Sequence, residues 1–109
     1  MFKSNPKLDY RNLGNSGLVV SCLAFGNASN GEYTYEENKA IIAKCLELGI
    51  NFFDTAELYW DNGEAEISYG KIFKELNVER EKIVVGTKVW VGINPSINSM
   101  GNTNKKHIK

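Results

Sequence analysis

The chain has 109 residues, enough for one domain at most. Its 13 basic and 13 acidic side chains cancel, with no obviously basic face, which argues against nucleic acid or an anionic membrane surface as a partner. Its longest apolar runs, "LVVSCLAF" and "KIVVGTKVWVGI", fall far short of the roughly 20 residues a membrane span needs.

The opening, "MFKSNPKLDY", lacks the apolar stretch of a secretory signal, so a cytoplasmic location is expected. Residues 1–8 read as an N-terminal extension. "LDYRNLGNSGLVVSCLAFG" then reads as a hairpin: a short arm with Tyr10 and Leu13, a turn at 14–17, and a second arm from Val19 to Phe25 ending at Gly26. Residues 27–33 form a polar loop. Its formal glycosylation sequon, "NAS", carries no meaning without secretion.

Thr34 opens a helix, with Glu37 three residues on completing a capping box. Ile41, Cys45 and Leu48 repeat at helical spacing, broadened by Ile42 and Leu46, and Gly49 suits the position just past the C-cap. Ile50–Phe53 is the next strand. "DNGEAEISYGKIFKEL" is a second helix, capped by Asp61 or Asn62, with Ile67, Ile72, Phe73 and Leu76 apolar. Gly70 inside it costs about 1 kcal/mol relative to alanine, which a close helix–strand contact would explain. "KIVVGTKVWVGI" is a further strand. The Gly/Asn/Ser-rich tail ends on a run like the start of another helix, where His107, the single histidine, reads as a solvated side chain. Cys22 and Cys45 carry no metal-ligand spacing and read as buried, reduced thiols. No metal site is expected.

Strands recur at about 30-residue intervals, the size of a βαβ unit, and look apolar on both faces, as strands covered by helices should. Two α/β architectures fit: a doubly wound sheet or a (β/α)₈ barrel. The first favours a glycine-rich phosphate loop after the first parallel strand, but the loop here, "GNASNG", lacks G-x-G-x-x-G. The second needs roughly 250 residues.

In such barrels reactive groups gather at the C-terminal strand ends. Asp54 directly follows the strand 50–53, Tyr59 lies in the loop after it, and Lys88 sits near the end of the last strand. The two strands are sequential and so adjacent, and the three side chains can converge on one mouth. The chemistry this trio suits is protonation of an oxyanion. A free phenol is too weak an acid at neutral pH. An ammonium at about 4 Å favours its phenolate by roughly 4 kcal/mol at an effective dielectric of about 20, before desolvation is subtracted. The carboxylate would hold the lysine charged and fixed. Plainer readings stand beside this one. Asp54 can be a turn residue accepting loop amides, Tyr59 a half-buried loop aromatic, and Asp54–Lys88 a structural pair satisfying a buried lysine.

"INFFDTAELY", "GEAEISYGKIFKEL" and "REKIVVGTKVW" resemble the aldo-keto reductase superfamily, and "LDYRNLGNSGLVVSCLAFG" resembles its N-terminal hairpin and first barrel strand. The likeness runs from about residue 9 to 109 and is nearest the branch containing the β subunits of voltage-gated potassium channels. It implies the N-terminal part of a (β/α)₈ barrel, incomplete here at roughly three-eighths of the whole. It also implies NADP(H) as cofactor and reduction of aldehydes or ketones. Asp54 matches the aspartate that pairs with the active-site lysine near the nicotinamide ribose, Tyr59 the proton donor, and Lys88 the lysine that favours its ionisation. Gly26, Asn27 and Ala28 match the loop that touches the cofactor, although family members often carry Gly-Thr there. Glu66 and Gly70 match positions that look structural. The family's further catalytic histidine has no match in His107. Three functions stay open: a carbonyl reductase, a regulatory binding subunit of the channel type, and a truncated product without independent activity. Three strands leave at least one edge open, so self-association is also expected.

Overall fold

The structure, a computed structural model, describes residues 4–29, 31–61, 63–89 and 108. His107 and the rest of the expected third-helix start, apart from Ile108, lie outside them, as do residues 90–93 of the expected strand 82–93.

The elements run β1 (Tyr10–Asn12), β2 (Val19–Ser21), β3 (Ala24–Gly26), α1 (Tyr35–Glu47), β4 (Phe52–Asp54), α2 (Glu64–Glu75) and β5 (Val84–Gly86), with a 3₁₀ turn at Arg80–Lys82. β1 and β2 form an antiparallel pair, while β3, β4 and β5 form a parallel sheet in that order. The fold is therefore α/β, with sequential strands adjacent and a helix in each crossover, the arrangement from which a (β/α)₈ barrel is built. No closed barrel exists among the described residues.

The second hairpin arm, expected as one strand, is two. Ser21 bends the chain: its Oγ donates to the Leu23 carbonyl at 2.6 Å. Asn51, one residue before β4, completes the break. Its Oδ1 accepts from the Ser21 amide at 2.7 Å, its Nδ2 donates to the Val19 carbonyl at 2.9 Å, and its own amide donates to Ser21 Oγ at 3.1 Å. The arm thus leaves the hairpin at Ser21 and enters the parallel sheet at Ala24. Cys22 falls on this bend and is exposed, contrary to the buried thiol expected, whereas Cys45 is buried in α1.

α1 starts as its sequence dictates. Thr34 Oγ1 accepts from the Glu37 amide at 3.3 Å, and the Glu37 carboxylate accepts from the Thr34 amide at 2.8 Å. These bonds hold the Glu37 carboxyl below its ordinary value. At the far end, Gly49 takes φ +89°, and a Cβ there would stand 2.5 Å from the Tyr10 hydroxyl. That hydroxyl donates to the Gly49 carbonyl at 2.7 Å, and Asn5 Nδ2 donates to the Leu48 carbonyl at 3.1 Å. The hairpin and the residues before it therefore cap the C-terminal end of α1, which places Asn5, read as extension, against the domain.

α2 starts differently from expectation. Its N-cap is Gly63, at φ +77° and without a side-chain cap, rather than Asp61; Asn62 lies outside the described residues. Asp61 contributes only its carbonyl, which accepts from the Glu64 amide at 3.0 Å. The left-handed turn needed to enter the helix is one that glycine adopts without a Cβ clash. Gly70 has open space where a Cβ would stand, so the close contact expected for it is absent.

The core lies between the sheet and the two helices: Ile42, Cys45, Leu46, Phe53, Tyr69, Ile72 and Ile83. Phe53 is 0% exposed and meets Phe25, Tyr69 and Phe73 edge-on, with ring centroids 6.5, 6.0 and 5.1 Å away. Such edge-to-face pairs contribute about 0.5–1.5 kcal/mol each beyond area burial. Two expected stripe residues lie off the core: Leu48 is 47% and Ile67 53% exposed, while Ala65 and Tyr69 take the buried face of α2. Strand alternation puts Phe25, Phe53 and Val85 on the helix side. The opposite row is Ala24, Phe52 and Val84, and it stays exposed or half-exposed. The strands are thus covered on one face, not two.

Replacing Thr34 by alanine is expected to cost about 1 kcal/mol, read from urea denaturation at pH 7. The Glu37 half of the box carries a pH signature. A carboxyl held below its unfolded value stabilises the fold above pH 4.5, and that part is lost as pH falls through the depressed folded value. Glu37→Gln should therefore flatten the acid limb of the stability curve.

Candidate active site

The parallel register sets Gly26, Asp54 and Gly86 side by side at the C-terminal ends of β3, β4 and β5. Asp54 carries the only side chain in that row beyond a hydrogen. A Cβ on Gly26 would lie 3.9 Å from Asp54 Oδ2, and one on Gly86 would lie 3.6 Å from Oδ1. The two glycines leave the space flanking the carboxylate open.

Past β5 the chain is pinned to the loop after β4. The Thr55 amide donates to the Gly86 carbonyl at 2.9 Å, and the Glu57 amide donates to the Lys88 carbonyl at 3.2 Å. This brings the Lys88 side chain over Asp54. Its Nζ donates to Oδ1 at 2.8 Å, to Oδ2 at 2.7 Å and to the Thr55 carbonyl at 2.8 Å. An ammonium has three N–H donors, and these acceptors take all three.

Lys88 also stands over the face of Tyr59, its Nζ 5.0 Å from the ring centroid. Tyr59 is placed by a turn in which its amide donates to the Ala56 carbonyl at 3.2 Å. The three residues singled out in the sequence therefore do converge. Lys88 is not buried as expected: its side chain is 49% exposed and that of Asp54 42%. The Asp54 carboxylate holds the lysine above its ordinary value, opposed by desolvation and helped by Tyr59. A lysine raised on folding contributes stability fully below pH 10.5, and that contribution is lost as pH rises through the raised value. Solvent screening keeps such a half-exposed pair to about 1 kcal/mol or less.

The loop after β3 is placed less directly. Gly26 and Ala28 are exposed, but the Asn27 side chain is buried and turned to α2, its Nδ2 donating to the Ala65 carbonyl at 3.1 Å. The Asn27 amide donates to the Asp54 carbonyl at 3.3 Å. Its carbonyl accepts from the Trp60 indole at 2.8 Å. Any ligand at this loop meets Gly26 and Ala28, while Asn27 fixes the loop's course.

Sequence reading passed over Tyr69. Its hydroxyl lies 3.2 Å from the carbonyls of both Phe25 and Asp54, which ties α2 to the ends of β3 and β4. Burial raises its pKa, with the Asp54 carboxylate adding to the effect, so it is a neutral donor. The signal lay in the stripe Ala65, Tyr69, Ile72: a phenol on a buried helical face needs an acceptor, and strand-end carbonyls supply one. Glu66, read as structural, accepts from Thr87 Oγ1 at 2.5 Å and so joins α2 to the segment leading to Lys88.

Three parallel strands with helical crossovers carry a carboxylate, an ammonium and a phenol at their C-terminal rim, the end at which α/β barrels place their functional groups. Residues 22–108 match the family model described as "Aldo/keto reductase family", and the chain belongs to that family. It is 42% identical over 103 residues to the "Probable voltage-gated potassium channel subunit beta" of Arabidopsis thaliana, covering 93% of this chain and 30% of that protein. A protein of the same description from Oryza sativa subsp. japonica is 38% identical over 104 residues, with 93% and 30% covered. Among solved structures, the holo form of an aldo-keto reductase from Bacillus halodurans superimposes with a TM-score of 0.76 at 34% identity, over 93% of this chain and 33% of its own. The chain thus spans about a third of the length of the relatives it matches. Among the described residues, no helix is long and apolar enough to cross a membrane.

Tyr69→Phe keeps the ring packing and removes the donor to two strand-end carbonyls. It is expected to cost about 1–3 kcal/mol in chemical denaturation. A loss confined to a few tenths would mean that water replaces the hydroxyl.

Proposed function

We propose that residues 9–109 are the N-terminal part of an NADPH-dependent carbonyl reductase of the cytoplasm, with Asp54, Lys88 and Tyr59 as its proton-transfer group. The observation that carries this is the ammonium of Lys88, fixed by three acceptors at the strand ends and set against the Tyr59 ring. NADP(H) fits the rim because Gly26 and Gly86 leave room on both sides of a part-exposed carboxylate. Gly26, Ala28 and Asp54 would hold it, with Asn27 shaping the loop. When bound, it supplies a hydride to an aldehyde or ketone carbon.

The chain's own residues then manage charge. The carbonyl oxygen gains negative charge and takes the proton from the Tyr59 hydroxyl. The phenolate left behind lies beside a permanent positive charge, which lowers the cost of leaving the proton. Asp54 and the Thr55 carbonyl keep that ammonium protonated and in one place, so it need not reorganise as charge moves.

A second reading is favoured by the descriptions of the plant relatives: a binding subunit of a potassium channel. In that case the exposed surface serves a partner, and cofactor occupancy regulates rather than catalyses.

The test begins with NADPH fluorescence titrated against this chain. Saturable binding supports the reductase site, and its absence at physiological cofactor concentration removes that reading for the chain. In a complete barrel carrying these residues, Tyr59→Phe should lower carbonyl reduction by about 10²–10⁴ with cofactor affinity nearly unchanged. Equal loss of both would make the phenol a packing residue. Retention of channel cytoplasmic domains on immobilised chain would favour the second reading.

A further inference from the structure

Trp60 follows Tyr59 directly and has φ +59°, a left-handed conformation that is a genuine outlier for so bulky a side chain. Such strain persists only where the surroundings over-determine it. Two contacts do so here. The indole Nε1 donates to the Asn27 carbonyl at 2.8 Å. The ring lies flush against Gly31, where a Cβ would come within 3.0 Å of Cδ1 and 3.2 Å of Cγ. Asn27 is itself held on two further sides, by the Asp54 carbonyl and the Ala65 carbonyl.

We propose that Trp60 is the positioning residue of this site: its indole bond to Asn27 locks a left-handed turn that presents the Tyr59 ring to the Lys88 amine. The inference rests on the reading of Tyr59 as proton donor. The reasoning is geometric. On its N-terminal side Tyr59 is held by the Ala56 turn and by the Glu57 amide bonded to the Lys88 carbonyl; the indole of Trp60 holds the other side. Without a restraint at residue 60, the backbone would relax to right-handed or extended torsions and rotate the preceding residue out of register with Lys88. The indole supplies the restraint from the neighbouring strand's loop, so the phenol and the cofactor loop at Gly26–Ala28 are held by one side chain. Glycine would reach the same torsions without strain but could not anchor them to Asn27.

Lys88 provides a reporter that needs no turnover. Its ε-methylene is bonded to the Nζ that stands 5.0 Å over the Tyr59 ring centroid, so the aromatic ring current is expected to displace its proton resonances upfield. Tyr59→Leu in the same chain sets the zero of that displacement. Trp60→Phe keeps an aromatic ring but deletes the N–H, and Gly31→Ala leaves Trp60 intact but pushes its indole away from Asn27. With far-UV circular dichroism retained, both variants are expected to lose most of the displacement. A role confined to packing would leave it unchanged in Trp60→Phe, and an unchanged resonance in both variants overturns the proposal. If Trp60→Phe does not fold, Gly31→Ala decides alone in the same sense. NADPH titration of the unsubstituted chain runs beside this: absent binding removes the reductase reading, while the Lys88 resonance still decides whether Trp60 sets the tyrosine.

Discussion

The arrangement of the site depends on one electrostatic contact, the carboxylate of Asp54 grasping the amine of Lys88 with both oxygens. The pair joins the end of β4 to the segment after β5, and its geometry is inherited from the parallel register below it. With Asp54 opposite Gly86, the Thr55 and Glu57 amides can reach the Gly86 and Lys88 carbonyls, and the lysine is delivered over the acid. A one-residue slip would send the carboxylate to the helix side and dissolve the cluster. The ion pair contributes little to stability because it is half-exposed, so its worth lies in fixing where a positive charge stands.

That charge is defined by what surrounds it. Two carboxylate oxygens and a main-chain carbonyl consume every donor the ammonium has, and they keep it in the charged form. Tyr59 receives it through the ring face, an orientation in which the ring's quadrupole and the lysine attract. Behind this front, Tyr69 pulls α2 onto the carbonyls of Phe25 and Asp54, and Glu66 does the same for the approach to Lys88. The helix is thus a second layer of support for the strand ends.

Much of this was legible in the residues. Thr34 and Glu37 announce a helix start because the bonds they form are local. Gly49 marks its end because only a left-handed residue continues there. Asp54, Tyr59 and Lys88 could be grouped because strand-end position and chemical type coincide. What escaped reading depended on distant partners. The break at Ser21 is imposed by Asn51, 30 residues later. The N-terminus of α2 passed to Gly63 because backbone torsion outweighed the capping side chain at Asp61. Cys22 was assigned to a strand interior, yet it sits on the bend that Ser21 and Asn51 create. The plainer reading of Lys88 as a buried, paired lysine rested on its apolar neighbours, but the residue lies past the end of β5, where its bond to the Glu57 amide holds it half-exposed over Asp54.

The polar seam at the opposite end of the strands has its own meaning. Tyr10, Asn5, Ser21 and Asn51 hold the hairpin against Gly49 and the start of β4, with Asp54 at the other end of that strand. The hairpin anchor and the candidate site therefore lie at opposite poles of the same short strands. Such separation lets natural variation reshape the chemical pole while the anchoring pole stays fixed, and it gives one scaffold room to diversify without coming apart.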